Sequence, residues 1–315
     1  MEIVPASAIR AIAGPDLIVP AVRQALIDHA AGRIVAPPPG HLDFTDPPGD
    51  CHIKFGRARG SSLFVIKVAT GFYRNPQRGL PSGNGLMLVM CAETGAPLAL
   101  LDDQGWLTEA RTAAAGVAAV EACGPDHDGT LGIIGAGMQA ELQARWIAPR
   151  CGFSRIALWG RDGSKAARLA AALTGSGLAA FACATPAEVA ARASVVVTCT
   201  PSRQPLLWAD ELGKTRLIVA MGADTPGKRE LDPALVEGAD SIVCDDVERC
   251  LDHGEIQGKD VAPGRLSSLG AILKSGRKPA GRLTIVDLTG LPAQDIAVAS
   301  VVWRTLSGSG YSAAG

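Results

Sequence analysis

In the stretch VAMGADTPGKREL (219–231) an acid, Asp224, closely follows an apolar run and is itself followed by Thr225, Pro226 and Gly227. The run reads as a buried strand. Residues that stiffen and turn the backbone would hold a carboxylate at its tip at a fixed angle, as proton transfer requires. The plainer alternative is an Asx turn in which the aspartate caps the TPG segment. Lys67 is a second candidate, because it interrupts the apolar segment LFVIKVA (63–69). A lysine inside a buried strand is costly unless it is paired, so it either serves a pocket or snorkels from a strand edge. In CHIKF (51–55), strand alternation puts His52 and Lys54 on one side and Cys51, Ile53 and Phe55 on the other. His52 is given no role. Arg111, in LTEARTAAAG (107–116), is expected in the first turn of a helix, where the dipole disfavours a cation. A carboxylate or phosphate gripped by its guanidinium fork would offset that; the alternative is a surface pair with Glu109 or Asp103.

The segment LGIIGAGMQA (131–140) sets Gly135, Gly137 and Ala140 in the pattern GxGxxA, directly after a strand and directly before a helix pattern. Gly135 permits the tight turn and Gly137 lets the backbone approach a pyrophosphate. Ala140 lets the helix pack closely, and the helix N-terminus attracts the anion. A nicotinamide dinucleotide is the expected cofactor. The second strand ends in WGRDGSK (159–165), with Arg161 where an NAD site usually has an acid, and with Ser164 and Lys165 nearby. That favours NADP(H) over NAD(H), although Asp162, one residue on, would restore the acidic ligand.

These residues need elements to hold them. Residues 15–33 put Val22, Leu26 and Ile27 on one helical face. After the connector APPPG come short apolar segments, HLDF, CHIKF, SLFVIKVATG and GLMLVMCAETGAPLALLD, which read as strands with ETGAP as a hairpin turn. Thr108 is the expected cap of the alanine-rich helix that follows. From Leu131 the runs TLGII, RIALW, SVVVT, RLIVA and SIVC are almost wholly apolar, with helix-like stretches at 138–148, 164–172, 186–193 and 232–239. Strands buried on both faces read this way. The fold class is therefore α/β: a Rossmann-type dinucleotide-binding domain plus a smaller α+β domain. After the strand LTIVDLTG, the helix pattern QDIAVASVVWRTL is expected to return to the first domain, and the tail 307–315 to fray.

With 315 residues the chain can bury a sizeable core, and its net charge of −1 argues against nucleic acid or a charged tail. No apolar run is long enough for a membrane span, and the start of the chain does not read as a signal peptide. The eight cysteines are scattered with no CxxC pair, so neither a metal site nor a disulfide framework is expected. The chain reads as cytoplasmic.

Taken in order, LTEARTAAAG, GIIGAGMQA, VAMGADTPGKREL and DLTGLPAQDIA resemble the ornithine cyclodeaminase/mu-crystallin family, over about residues 50 to 305. The resemblance implies a homodimer. Residues 1–114 with 290–315 would form the substrate-binding and dimerisation domain, and residues 115–289 the Rossmann NAD(P)-binding domain. It implies that Lys67 holds the substrate carboxylate and that Arg111 stands where substrate and cofactor meet. Asp224 matches the family's catalytic acid/base. Met138, Gln139, Thr200, Met221, Gly222, Lys228 and Thr289 would contact the cofactor, Thr289 near the nicotinamide. The chain departs from the family at APPPGHLDF, where many members carry an arginine for the substrate carboxylate; His41 or Lys54 is the candidate replacement. The segment 52–86 is similar to the ectoine-utilisation and imine-reductase branch.

The expected reaction is hydride transfer to or from the α carbon of a small imino or amino acid, such as Δ1-pyrroline-2-carboxylate, with Asp224 handling the nitrogen proton. The alternatives are an ornithine cyclodeaminase with a recycled cofactor, which releases ammonia, and a non-catalytic ligand-binding protein of the mu-crystallin kind.

Overall fold

The computed structural model describes residues 1–72, 74–126 and 129–308. The chain divides into two compact units, Met1–Arg111 with Pro292–Gly315, and Thr112–Leu291. The tail expected to fray lies, from residue 309, outside the described residues.

In the first unit β1 (Glu2–Pro5), α1 (Ala6–Ile12) and α2 (Pro15–Ala30) precede β2 (Ile34–Val35), β3 (Gly40–Thr45), β4 (Pro48–Ala58), β5 (Leu63–Phe72), β6 (Gly83–Cys91) and β7 (Pro97–Asp102). The strands order as β1-β7-β6-β5-β4-β2, with β3 paired on β4. Only β1 runs parallel to its neighbour. Sequence reading missed β1 and α1, whose segments are too short to show a period. Alternation decides the two faces of this sheet. Val65, Lys67, Met87, Val89, Ala99 and Leu101 are buried, on the side where the C-terminal helix (Pro292–Gly308) packs against β4, β5, β6 and α2. The helix α2 packs against it and buries Ile18, Val22, Ala25 and Leu26. Each fully buried isoleucine, valine or leucine among them stabilises by about 1.5–3 kcal/mol.

The alanine-rich helix α3 (Trp106–Cys123) carries the chain out of the first unit. Its start corrects one expectation. The Leu107 N–H donates to Asp103 Oδ2 at 2.7 Å, so Asp103, not Thr108, caps the helix. Arg111 therefore stands in the second turn, not the first.

The second unit alternates strand and helix: β8 (Thr130–Ile134), α4 (Met138–Cys151), β9 (Arg155–Trp159), α5 (Gly163–Gly175), β10 (Ala179–Ala182), α6 (Pro186–Arg192), β11 (Val195–Thr198), β12 (Leu217–Ala220), α7 (Pro233–Gly238), β13 (Ser241–Cys244), α8 (Val247–His253), β14 (Leu266–Ser268), α9 (Leu269–Ser275) and β15 (Thr284–Asp287). All eight strands are parallel, in the order β10-β9-β8-β11-β12-β15-β13-β14. The order reverses between β8 and β11, the switch point at which such sheets bind ligands. Strand β10 escaped sequence reading because Ala180 is its one half-buried position, so its segment lacks the apolar signature of its neighbours.

Candidate functional site

Register builds the site in the second unit. Ile134, Thr198, Ala220 and Asp287 are mutual partners across β8, β11, β12 and β15. The segments that begin at Gly135, Cys199, Met221 and Leu288 therefore leave one carboxyl edge side by side. That edge gathers Gly135, Gly137, Met138, Gln139, Thr200, Met221, Gly222, Asp224, Lys228 and Thr289, drawn from four separate stretches of sequence.

Gly135 has φ of 144°, and a Cβ there would meet Cys199 Sγ at 2.7 Å, so the turn admits no larger residue. Gly137 is the N-cap of α4 and supplies no side-chain cap. A Cβ on it would meet nothing within 4 Å. The N-terminus of α4 thus carries no side-chain cap and has room beside Gly137, and this fits the pyrophosphate of a dinucleotide. Met138 is exposed, and Gln139 Oε1 accepts from Gln143 Nε2 at 3.2 Å. Gln143, fully buried, also donates to the Thr112 carbonyl and reaches the sulfur of Met221. Sequence reading missed it; the signal was a polar residue on the buried face of α4.

At the end of β9 Arg161 is exposed. Asp162 is engaged as the N-cap of α5, accepting from Lys165 N at 3.1 Å and from the Ser164 hydroxyl at 2.6 Å. The Ser164 hydroxyl, and then the Lys165 amide, hold its carboxyl below the usual range.

Asp224 is about half exposed, its side chain at 49%, and its Oδ1 accepts from Lys228 Nζ at 2.6 Å. The turn Thr225–Lys228 closes by a backbone bond and turns through Gly227 at φ 79°. Gln257 fastens it, accepting from the Gly227 N–H at 3.0 Å and donating to the Lys228 carbonyl at 2.7 Å. The aspartate's side-chain partner among the described residues is thus the lysine. Thr289 is buried, and its hydroxyl and amide both donate to Asp245.

The first unit holds the expected cations. Lys54 and Lys67 are register partners on β4 and β5. Lys67 is only 2% exposed, and its Nζ lies 2.9 Å from Asp295 Oδ1 on the C-terminal helix. Arg111 Nε lies 3.3 Å from the same oxygen, and its Nη1 donates to Gln294 Oε1 at 3.1 Å. Arg111 is therefore paired in the interior rather than on the surface with Glu109 or Asp103. Burial pushes the Asp295 carboxyl up, but Lys67, Arg111 and Lys54 outweigh it and hold the group below the usual range. Burial lowers the Lys67 ammonium against the pull of Asp295. Asp295 was missed as a site residue although it lies in the quoted DLTGLPAQDIA, because an acid on a helix pattern reads as a solvated face. The other candidate for the missing arginine, His41, sits on β3 with its ring 4.4 Å from that of His52 and its Nε2 2.9 Å from Asp43.

A nucleotide-type loop, an acid on the same edge, and a buried Lys–Asp–Arg cluster on a different unit make a restrictive combination. Residues 6–310 match the ornithine cyclodeaminase/mu-crystallin family. The chain belongs to this family. An uncharacterized cyclodeaminase of Sinorhizobium fredii is 36% identical over 277 residues, 85% of this chain and 84% of that one. An archaeal alanine dehydrogenase dimer with bound NAD superposes with a TM-score of 0.89 at 29% identity, covering 98% of this chain and 97% of that one. The iminosuccinate reductase of Paracoccus denitrificans in complex with NAD+ gives 0.88 at 27% identity, covering 99% and 98%. Family membership thus spans reductase, dehydrogenase and cyclodeaminase relatives on one fold. Among the described residues, no helix is long and apolar enough to cross a membrane.

Proposed function

We propose that the chain is a nicotinamide-dependent oxidoreductase acting at the α carbon of a small imino or amino carboxylate, with a cyclic ketimine such as Δ1-pyrroline-2-carboxylate as the reference substrate. The observation that carries this reading is that the open N-terminus of α4 and the Asp224 loop leave the same carboxyl edge, with one strand between theirs. Bound there, the nicotinamide would supply or take up the hydride. The chain's own residues do the rest. The first amides of α4 hold the pyrophosphate. Asp224 gives or takes the proton at the substrate nitrogen, and Lys228 anchors its carboxylate between turnovers. Lys67 and Arg111 orient the substrate carboxylate, with Lys54 as a third cation. These three face Asp295, with Asp103 as the second acid near Lys67, which leaves positive charge for an anionic substrate.

An exposed Arg161 beside an Asp162 committed to capping supports NADP(H) over NAD(H). Replacing Arg161 by alanine is expected to weaken NADPH binding about tenfold, the loss of one charged hydrogen bond, and to leave NADH binding unchanged. A homodimer is supported by the open face of the first sheet. Phe55, Ile66, Leu88, Leu100 and Ile3 form one row across five strands, all of them exposed or half-exposed.

The test is a panel of cyclic ketimines and basic amino acids, assayed with each nicotinamide in both directions. Net substrate-dependent consumption of reduced cofactor supports the reductase. The cyclodeaminase relative keeps a second reading open: ammonia release without net cofactor consumption would replace the reductase by the lyase. Tight NADPH binding without turnover of any panel member would overturn both in favour of a binding protein.

A further inference from the structure

Glu230 is fully buried behind the carboxyl edge of the second unit's sheet. Its Oε1 accepts from the Thr200 N–H at 2.6 Å and the Thr200 hydroxyl at 2.7 Å. Its Oε2 accepts from the Thr198 hydroxyl at 2.7 Å and the Gly222 N–H at 2.8 Å. One carboxylate therefore ties the segment after β11 to the segment after β12. The fit is close: a Cβ on Gly222 would stand 2.1 Å from the Thr200 carbonyl oxygen and 2.5 Å from Glu230 Oε2.

Glu230 is held from behind in the same manner. Its own N–H and that of Leu231 donate to the two oxygens of Glu255, at 2.7 and 3.1 Å. The N–H groups of Glu255 and Ile256 donate to Asp287 Oδ2, at 2.7 and 3.3 Å. Three interior acids thus stand in series, each taking backbone amides. Burying a carboxylate is costly, and an apolar side chain would fill the space more cheaply. Amide-to-carboxyl hydrogen bonds are directional, so the arrangement trades stability for fixed geometry.

We propose that Glu230 is a positioning residue: it clamps the Thr200 and Gly222 segments into one rigid surface, with Glu255 and Asp287 as its supports, and so fixes both the wall that receives the dinucleotide and the root of the Asp224 loop. The clamp itself is independent of ligand; its consequence for the cofactor rests on the nicotinamide reading above. Neither Glu230 nor its supports need touch a reacting atom.

The experiment pairs hydrogen exchange on the dinucleotide-free protein with dinucleotide binding. Glu230→Gln keeps the shape, but its NH2 must face either the Thr200 or the Gly222 N–H, donor against donor. Exchange in peptides covering 199–202 and 221–224 is expected to rise at least tenfold, with peptides from β8 and β9 unchanged. The Kd for the preferred dinucleotide should rise tenfold or more. Thr198→Val, which removes one hydroxyl from the clamp and keeps the strand, should shift both readouts in the same direction by a few fold, and it carries the test if Glu230→Gln does not fold. Unchanged exchange in both segments, or acceleration spread evenly over β8 and β9, would overturn the clamp. Wild-type protein that binds neither NADH nor NADPH would overturn the cofactor reading instead, and the exchange pattern would still decide the clamp.

Discussion

Asp295 shows how much can rest on one side chain. Its carboxylate is shared by Lys67 and Arg111, all three side chains nearly or fully buried. Asp295→Asn would take from Lys67 and Arg111 the carboxylate they share. The expected cost is about 3–5 kcal/mol, the scale for breaking a buried ion pair, read from urea unfolding. Because the folded carboxyl lies below its unfolded value, its contribution is full above the unfolded value near pH 4 and is lost as pH falls through the folded one. The variant should therefore lose part of the wild type's stability drop in strong acid. Asp224 is a different case: half exposed, with a lysine beside it, it adds little to folding. Asp224→Asn is expected to lower kcat by about 10²- to 10⁴-fold while dinucleotide affinity and unfolding midpoint stay put. Turnover that survives the change would remove the acid/base role.

The turn between β8 and α4 separates two glycines that a motif search treats alike. Gly135 is confined by its backbone angle and by Cys199, whereas Gly137 faces open space. Gly135→Ala is thus expected to lower stability and binding together. Gly137→Ala should unfold like the wild type yet bind dinucleotide about tenfold more weakly, since its methyl group occupies room that only a ligand would use. Equal unfolding midpoints with unequal affinities, measured by thermal scan and fluorescence titration, would separate them. The βαβ train was readable at this scale because strands such as VVVT are apolar on both faces, and so was the β6–β7 hairpin with its ETGAP turn. The cap of α3 was not: Thr108 and Asp103 are both acceptable capping residues, and only the path of the chain into the helix selects Asp103.

At the scale of the molecule, buried acids set the pH response. Burial, and then the charge of Glu230, push the Glu255 carboxyl up to about 8; burial pushes Asp103 up to about 6. A carboxyl raised on folding keeps its proton in the folded state, so its contribution is full below the unfolded value and is lost as pH rises through the folded one. Stability is therefore expected to decline from about pH 4.3, the unfolded glutamate value, towards pH 8. Glu255→Gln should flatten the upper part of that decline in a Tm-versus-pH series; an unchanged slope would mean that the group titrates normally. The apolar row on the first sheet makes a second prediction at this scale. Phe55→Asp should convert a dimer to a monomer in sedimentation velocity, and a wild type that sediments as a monomer would remove the interface.

By itself the sequence determined the α/β class, the order of most strands along the chain, the glycine loop and the candidate acid, because periodicity, turn chemistry and the GxGxxA spacing are local properties of the chain. The tertiary structure decided which segments share an edge, that Lys67 and Arg111 share the carboxylate of Asp295, that Asp162 is spent on a helix cap, and that Glu230 joins two segments. Those facts depend on partners far apart in sequence, such as Lys67 and Asp295, and no local pattern encodes the pairing of residues that only packing brings within hydrogen-bond reach.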